Sequence, residues 1–183
     1  MSWAKLKIRR KSPEQIDRMA ASGEILASVF MEVRGLVEPG ITTGEIDRTL
    51  ETMIRDAGCT PSFKGYHGFP ASACISVNEE VVHGIPGDRV LAEGDIVGID
   101  IGLIKDGWHA DSAETLPVGT VNGDAARLLE VTEESLWRAI DAIAPGRRLS
   151  VIGTAVESLA AEEGFAVVET LVGHGIGQQM HED

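Results

Sequence analysis

Residues 95–117 constrain the fold of this 183-residue chain more than any other stretch, because they have the pattern of two strands joined by a tight turn. The odd positions of the first strand are all apolar: Val97, Ile99, Ile101 and Leu103. Since strand side chains alternate between faces, these positions predict one buried face. Asp100 falls on the opposite face, and Asp111 lies in the second strand at the same distance from the turn centre.

The turn at Lys105-Asp106-Gly107 decides how the two aspartates meet. A two-residue turn at 105–106 sets them directly opposite each other, and one at 106–107 sets them diagonally on the same face. A three-residue loop places them on opposite faces. Two carboxylates on one face repel each other unless they share a proton or a cation. A same-face arrangement therefore predicts a metal site, and the alternative is a pair of solvated aspartates.

Composition narrows the class of protein. A net charge of −13 disfavours a nucleic-acid backbone as the main partner. The basic start, residues 5–11, has no apolar signal region after it, and no apolar run reaches membrane-spanning length. Cys59 and Cys74 lack a CxxC spacing and are too few for a disulfide framework. These features predict a single-domain cytoplasmic protein with reduced thiols and no membrane partner.

Helix start signals divide the chain into two similar parts. Ser12 to Gln15, and Thr42 with Glu45, have the form of capping boxes. The predicted elements, in order, are helices from 12 to about 38 and from 42 to 58, a strand at 73–77, the hairpin, helices from about 124 to 144 and from 150 to 164, and a strand at 165–172.

The two parts align as an internal repeat. Adding 106 maps Pro39-Gly40 onto Pro145-Gly146 and Gly58 onto Gly164, and brings His67 within one residue of His174. The alternative is chance similarity between two helix-Pro-Gly-helix units. If the repeat holds, the second part is expected to end near position 222 and to lack its counterpart of the aspartate hairpin within these 183 residues.

Five histidines add possible ligands: His67, His83, His109, His174 and His181. An isolated histidine is more often structural, but several of these lie in glycine-rich segments where a ligand can approach the backbone. Asp100, Asp111 and His174 together would form a mixed oxygen and nitrogen site suited to Mn, Fe, Co or Zn. Glu182 and Asp183 are not expected as ligands, because terminal residues are usually mobile.

Three segments together resemble type I methionine aminopeptidase: GYHGFPASACISVNEEVVHGIP at 65–86, GDIVGIDIGLIKDGWHADSAET at 94–115 and GHGIGQQMHED at 173–183. The resemblance implies the α/β pita-bread fold, in which two pseudo-symmetric halves of antiparallel sheet are covered by helices. It implies one catalytic domain over 1–183, with a first half-repeat at about 12–119 and a partial second at about 120–183.

The resemblance also implies roles for individual residues. Asp100 would be a bidentate ligand of one divalent metal, Asp111 would bridge two metals, and His174 would ligate the other, with Co, Mn, Fe or Zn as the ions. His83 would bind near the amino end of the substrate and assist proton transfer. His181 would contact the scissile carbonyl or the following peptide group.

A methionine pocket follows from the same resemblance. Tyr66, Phe69 and Cys74 would line it, and the alternative for the two aromatic residues is ordinary loop packing. Met180 stands where the family usually has a phenylalanine. The family also supplies two glutamate ligands from segments with no counterpart in these 183 residues. The chain is therefore expected to be C-terminally truncated, with activity absent or strongly reduced and apolar surface exposed at the missing edge.

The function implied is removal of the initiator methionine from nascent polypeptides, including at the ribosome, by a cytoplasmic enzyme that is monomeric when complete. One alternative is a non-catalytic protein-binding module of the same fold, against which the retained aspartates and histidines argue. Another is a proline-specific aminopeptidase or prolidase of that fold, against which the short segment before Ser12 argues.

Overall fold

A computed structural model describes residues 10–182, so the predicted basic start falls largely outside the described residues. The chain divides into two compact units. Of the described residues, unit 1 comprises 10–120 and 174–182, and unit 2 is Val121–Gly173. Within residues 10–182, none of the helices is long and apolar enough to cross a membrane. The predicted half-repeats, 12–119 and 120–183, stay a prediction.

Two helices open unit 1. Helix α1 spans Pro13–Arg34 and helix α2 spans Thr43–Asp56. Both predicted capping boxes are confirmed: the Ser12 and Thr42 side chains accept a hydrogen bond from the backbone three residues on, and the side chain there reciprocates. These bonds satisfy amides that the first helical turn leaves without partners, so the sequence determines where both helices begin.

The sheet of unit 1 has four antiparallel strands: β1 Thr60–Pro61, β2 Ala73–Val77, β3 Ile96–Lys105 and β4 Trp108–Pro117. Strand β3 is central. Strand β4 pairs along one edge of β3, while β2 and then β1 pair along the other. The strand predicted at 73–77 is therefore confirmed.

The hairpin closes through a two-residue turn at Asp106-Gly107. Both residues have positive φ, 49° and 80°, which is the geometry of a type I′ turn. The register pairs Gly102 with Asp111 and places Asp100 opposite Ala113. Asp100 and Asp111 are thus diagonal neighbours on one face, which confirms the second of the turn alternatives.

The opposite face of the hairpin forms the core of unit 1. Val97, Ile99, Ile101 and Leu103 are fully buried and pack with apolar residues of α1 and α2. Each buried aliphatic side chain contributes roughly 1.5–3 kcal/mol to folding. Because this face is filled by helices, the face that carries the aspartates is the one left for a site.

Unit 2 contains helix α3, Gly123–Asp141, and helix α4, Ser150–Glu162. Adding 106 to the bounds of α2 gives 149–162, so α4 agrees with the repeat to within one residue. Gly146 and Gly164 have positive φ, as do Gly40 and Gly58 at the matching positions. Large apolar side chains remain exposed in this unit: Leu136, Trp137, Ile140, Ile143, Leu149 and Val172. The sequence predicts exposed apolar surface at a missing edge, and that location stays a prediction.

The strand predicted at 165–172 is wrong. These residues form no strand. The amide of Phe165 donates to the carbonyl of Ala160 at the end of the preceding helix, at 2.7 Å, and the amide of Leu171 donates to the carbonyl of Val168 in a local turn, at 3.3 Å. A strand needs a partner for its amides and carbonyls. No strand pairs with this apolar segment within the described residues, so it does not remain extended in a sheet.

Candidate active site

A cavity of about 560 Å³ opens over the aspartate face of unit 1. Its polar lining consists of two carboxylates and four histidines: Asp100, Asp111, His67, His83, His174 and His181. Its apolar lining consists of aromatic, sulfur-containing and aliphatic side chains: Phe63, Tyr66, Phe69, Pro70, Cys74, Ile85 and Met180. Every site residue predicted from the sequence therefore faces this one cavity.

Asp100 and Asp111 form a half-buried carboxylate pair at the cavity floor. Burial, the charge of Asp111 and a hydrogen bond with it all act in the same direction and raise the pKa of Asp100 to about 7. Two adjacent carboxylates in such a setting are stabilised by a divalent cation, which neutralises both charges and uses their oxygens as ligands. The pair therefore fits a bound metal.

The ring of His174 is oriented so that it can also bind a metal. Its Nδ1 lies 3.0 Å from the carbonyl oxygen of Gly175, and a carbonyl can only accept, so Nδ1 carries the proton and donates. Nε2 is then left with its lone pair, which is how a metal-binding histidine is usually oriented. Among residues 10–182, however, no three ligand-type side chains are already close enough together to form a metal site. The carboxylate pair and His174 share the cavity without forming a closed cage.

Backbone hydrogen bonds and an ion pair hold the C-terminal loop, residues 175–182, in place. Gly175 and Glu182 exchange two backbone hydrogen bonds of 2.9 and 2.8 Å. The amide of His109 on β4 donates to the carbonyl of Gly177 at 2.8 Å. Lys11, before α1, forms an ion pair with the side chain of Glu182. These contacts hold His174 and His181 over the sheet, with their ring centroids 4.3 Å apart.

Glu182 thus has a structural role that sequence reasoning did not predict. Its place near the end of the chain predicts a mobile side chain, yet its carboxylate pairs with Lys11 and accepts from the amide of Gln179. Its side chain is only 10% exposed. The hydrogen bond that Lys11 donates to this carboxylate is the first cause that lowers its pKa.

His83 lies in an exposed bend at the cavity edge, with a left-handed φ of 59°. The bend is held against β2 because the carbonyl of Gly84 accepts from the amide of Ile75 at 2.9 Å. A Cβ on Gly84 would lie 2.2 Å from the carbonyl oxygen of Ile75, so only glycine fits there. The start of β2 is fixed in turn by Asp47 of α2, whose carboxylate accepts from two β2-edge amides at 2.9 Å.

The apolar end of the cavity is a small cluster of Phe63, Cys74 and Met180, with Phe69 packed against it. Burial is the first cause that raises the pKa of the Cys74 thiol to about 12, followed by the charges of Asp100 and Asp111. Sequence reasoning missed Phe63. The signal that could have found it is its position directly before the glycine-rich loop, next to a strand end.

Two further side-chain pairs, one in the cavity lining and one outside it, are not predicted by the sequence. Tyr66 and His181 are joined by a hydrogen bond of 2.8 Å between the hydroxyl oxygen and Nδ1. Ser62 and His109 form a similar pair at 3.0 Å. Burial lowers the pKa of His109. The sequence gives His109 no role beyond being one of five possible histidine ligands.

A helix-covered antiparallel sheet whose open face carries paired carboxylates and histidines is typical of metal-dependent hydrolases. Residues 17–183 match the model of metallopeptidase family M24, and the chain belongs to this family.

Similar proteins agree with this assignment. Methionine aminopeptidase 1 of Bacillus subtilis is 50% identical over 173 residues, which are 94% of this chain and 70% of the relative. The crystal structure of methionine aminopeptidase from Rickettsia prowazekii superposes with a TM-score of 0.95 at 34% identity, covering 97% of this chain and 71% of that one. Prolidase from Pyrococcus furiosus, at 24% identity and a TM-score of 0.84, shares the fold alone. The expected pita-bread fold is confirmed.

Proposed function

We propose that this chain carries the site of a metal-dependent methionine aminopeptidase, which removes the N-terminal methionine from nascent proteins. The observation that carries the proposal is the diagonal carboxylate pair, Asp100 and Asp111, at the floor of a cavity that ends in an aromatic and sulfur-lined pocket. Membership of family M24 and the methionine aminopeptidases among the relatives support the same function.

Asp100, Asp111 and His174 are the residues we assign to the metal. The raised pKa of Asp100 and the free Nε2 of His174 support this assignment. We propose two divalent ions per complete site, from Co, Mn, Fe or Zn, since a mixed oxygen and nitrogen donor set suits these metals. When bound, such ions polarise a peptide carbonyl and lower the pKa of water.

His83 and His181 are the residues we assign to the substrate. His83 lies at the cavity edge, where it can accept a hydrogen bond from the free amino group of a peptide. His181 stands beside His174, where it can donate a hydrogen bond to the oxygen of the first peptide bond. A donor placed at that oxygen stabilises the negative charge that develops there during attack.

The pocket supplies the preference for methionine. Tyr66, Phe69 and Cys74 line it, and Met180 packs into its base beside Phe63. A thioether gains about 0.3–1.5 kcal/mol from contact with an aromatic ring, and an unbranched side chain adapts to an irregular apolar space. The same lining keeps water away from the methionine side chain.

We propose nascent polypeptide N-termini, including those at the ribosome, as the partners, and the cytoplasm as the compartment. An initiator methionine is first available there. Cys59 and Cys74 are free and buried, as expected for a reducing compartment. We further propose that the complete enzyme is a monomer.

Metal binding and peptide specificity test the proposal separately. Co²⁺ or Mn²⁺ is expected to raise the melting temperature of the purified 183-residue chain, and Asp111→Asn is expected to abolish that rise. Metal-dependent release of the first residue, measured on Met-Ala and X-Pro peptides, is expected on Met-Ala only. The absolute rate is expected to be low, because the resemblance places two glutamate ligands outside these 183 residues. A preference for X-Pro peptides would contradict the assignment.

A further inference from the structure

We propose that Tyr66 is a positioning residue that fixes the tautomer of His181, so that His181 presents an N–H rather than a lone pair at Nε2. The hydroxyl of Tyr66 lies 2.8 Å from Nδ1 of His181, and the two ring centroids are 5.5 Å apart. The consequence for catalysis rests on the proposed function, but the hydrogen bond and the tautomer do not.

The backbone around His181 is fixed, so the remaining freedom lies in its side chain. Glu182 exchanges two backbone hydrogen bonds with Gly175, and Met180 on the other side is buried. The ring of His174 stands edge-on to the His181 ring at 4.3 Å, with an interplanar angle of 72°. A ring held in this way still has two neutral tautomers, and the partner of Nδ1 decides between them.

Tyr66 is itself held in place. It lies in a short 3-10 helix, Tyr66–Gly68, between two left-handed glycines, Gly65 and Gly68. Its amide donates to the carbonyl of Phe63, and its carbonyl accepts from the amide of Phe69, both at 2.9 Å. His67, inside this turn, has a left-handed φ of 47°, a conformation that costs free energy for a non-glycine residue. The loop therefore presents the hydroxyl at a defined point over the C-terminal loop.

The direction of the hydrogen bond follows from the chemistry of the two groups. A phenol is a stronger hydrogen-bond donor than acceptor, because the ring delocalises a lone pair of its oxygen, whereas the unprotonated nitrogen of an imidazole is a strong acceptor. The phenol can therefore donate to Nδ1, and the proton of the imidazole then sits on Nε2. His174 has the opposite arrangement, because its Nδ1 donates to a carbonyl. The two adjacent histidines thus have opposite tautomers: Nε2 of His174 has a free lone pair, and Nε2 of His181 has a free N–H.

Histidine tautomers can be read directly by two-bond ¹H–¹⁵N correlation spectra of chain labelled with [¹⁵N]histidine. The experiment uses the metal-free 183-residue protein without substrate, at about pH 8, where imidazole is ordinarily neutral. Each histidine is assigned by its own substitution to glutamine. Tyr66→Phe removes only the hydroxyl, and Ser62→Ala is the matched control, because Ser62 contacts Nδ1 of His109 at 3.0 Å.

In the wild-type chain, His181 is expected to carry its proton on Nε2. Tyr66→Phe is expected to lower the ratio of this tautomer to the other by about two- to tenfold, the range expected for one neutral hydrogen bond. Ser62→Ala is expected to leave His181 unchanged. A proton on Nδ1 of His181 in the wild type overturns the inference before any variant is made, and so does a ratio that Tyr66→Phe leaves unchanged.

This outcome is separate from that of the proposed function. The spectra need neither metal nor peptide, so a chain that releases no methionine can still confirm the role of Tyr66. Conversely, a chain that binds metal and cleaves Met-Ala with an unperturbed His181 retains the proposed function and loses this inference.

Discussion

Replacing Asp100 by asparagine is expected to stabilise the metal-free chain at pH 8 while removing its response to metal. Asp100 is half-buried beside Asp111, and both its burial and the neighbouring charge oppose its ionisation. Without a cation, the two ionised carboxylates repel each other and destabilise the folded state. Asparagine keeps the shape of the side chain and removes one of the two charges.

The magnitude follows from the pKa. The pKa of Asp100 rises from an ordinary value of 3.8 to about 7. Since one pH unit corresponds to about 1.4 kcal/mol, the ionised form destabilises the metal-free fold by at most about 4 kcal/mol. The native state binds more protons than the unfolded state between these two values, so stability falls as the pH rises from 3.8 through about 7. Below pH 3.8, Asp100 does not reduce the free energy of unfolding. Above about pH 7, the reduction has reached its full size.

The assay is urea unfolding of chain stripped with a chelator, at pH 5 and pH 8, followed by thermal melting with added Mn²⁺. The matched control is Asp106→Asn, which removes the same charge from the exposed turn of the same hairpin. Asparagine tolerates the left-handed φ of 49° at that position. Asp106→Asn is expected to change stability by no more than about 0.5 kcal/mol.

Two results would refute this reasoning. Asp100→Asn could prove no more stable than the wild type at pH 8, which would mean that the carboxylate pair carries no electrostatic cost. Alternatively, Mn²⁺ could raise the melting temperature of Asp100→Asn as much as that of the wild type. In that case the ion binds elsewhere, since stabilisation by a ligand depends only on its affinity for the native state.

Three further substitutions or treatments test other parts of unit 1. Gly84→Ala is expected to cost about 1–3 kcal/mol in urea unfolding, because its Cβ would lie 2.2 Å from a backbone oxygen of Ile75, whereas Gly87→Ala enters open space. Glu51→Gln is expected to destabilise the chain by about 1 kcal/mol at pH 6, because two basic side chains lower the pKa of Glu51 to about 2. The difference in free energy of unfolding between this variant and the wild type should vanish as the pH falls from 4.5 to about 2. The Cys74 thiol, with its pKa raised to about 12, is expected to alkylate at least roughly 100-fold more slowly in the native chain than in guanidinium, as measured by mass spectrometry at pH 8.

The parts of the fold that the sequence predicts well are those set by local rules. The alternation of Val97, Ile99, Ile101 and Leu103 predicted the buried face, because a period of two is a property of the strand itself. Both capping boxes were predictable for the same reason, because each joins two residues only three positions apart in the sequence. The choice between turns at 105–106 and 106–107 was open, because both pairs fit a tight turn; positive φ at Asp106 and Gly107 decides it.

The parts that failed or were missed depend on distant partners. The segment 165–172 has the composition of a strand, but a strand also needs a neighbour, which local sequence does not encode. The pairing of Tyr66 with His181 joins positions 115 residues apart, and that of Ser62 with His109 joins positions 47 apart. The site residues themselves were predicted because the resemblance identified them. Their hydrogen-bond partners were not, because these bonds appear only once the loops are in place.

The hairpin links stability to function through its register. Because alternate side chains face opposite ways, a slip of one residue would bury Asp100 among the helices and expose Val97 and its apolar neighbours. Two features prevent such a slip: the type I′ turn at Asp106-Gly107, and the close contact of Gly102 with the Phe63 ring, from which an added Cβ would be only 2.6 Å away. The turn therefore fixes the position of the carboxylate pair from outside the cavity. The electrostatic cost of that pair is tolerated because the same register buries a complete aliphatic row on the other face.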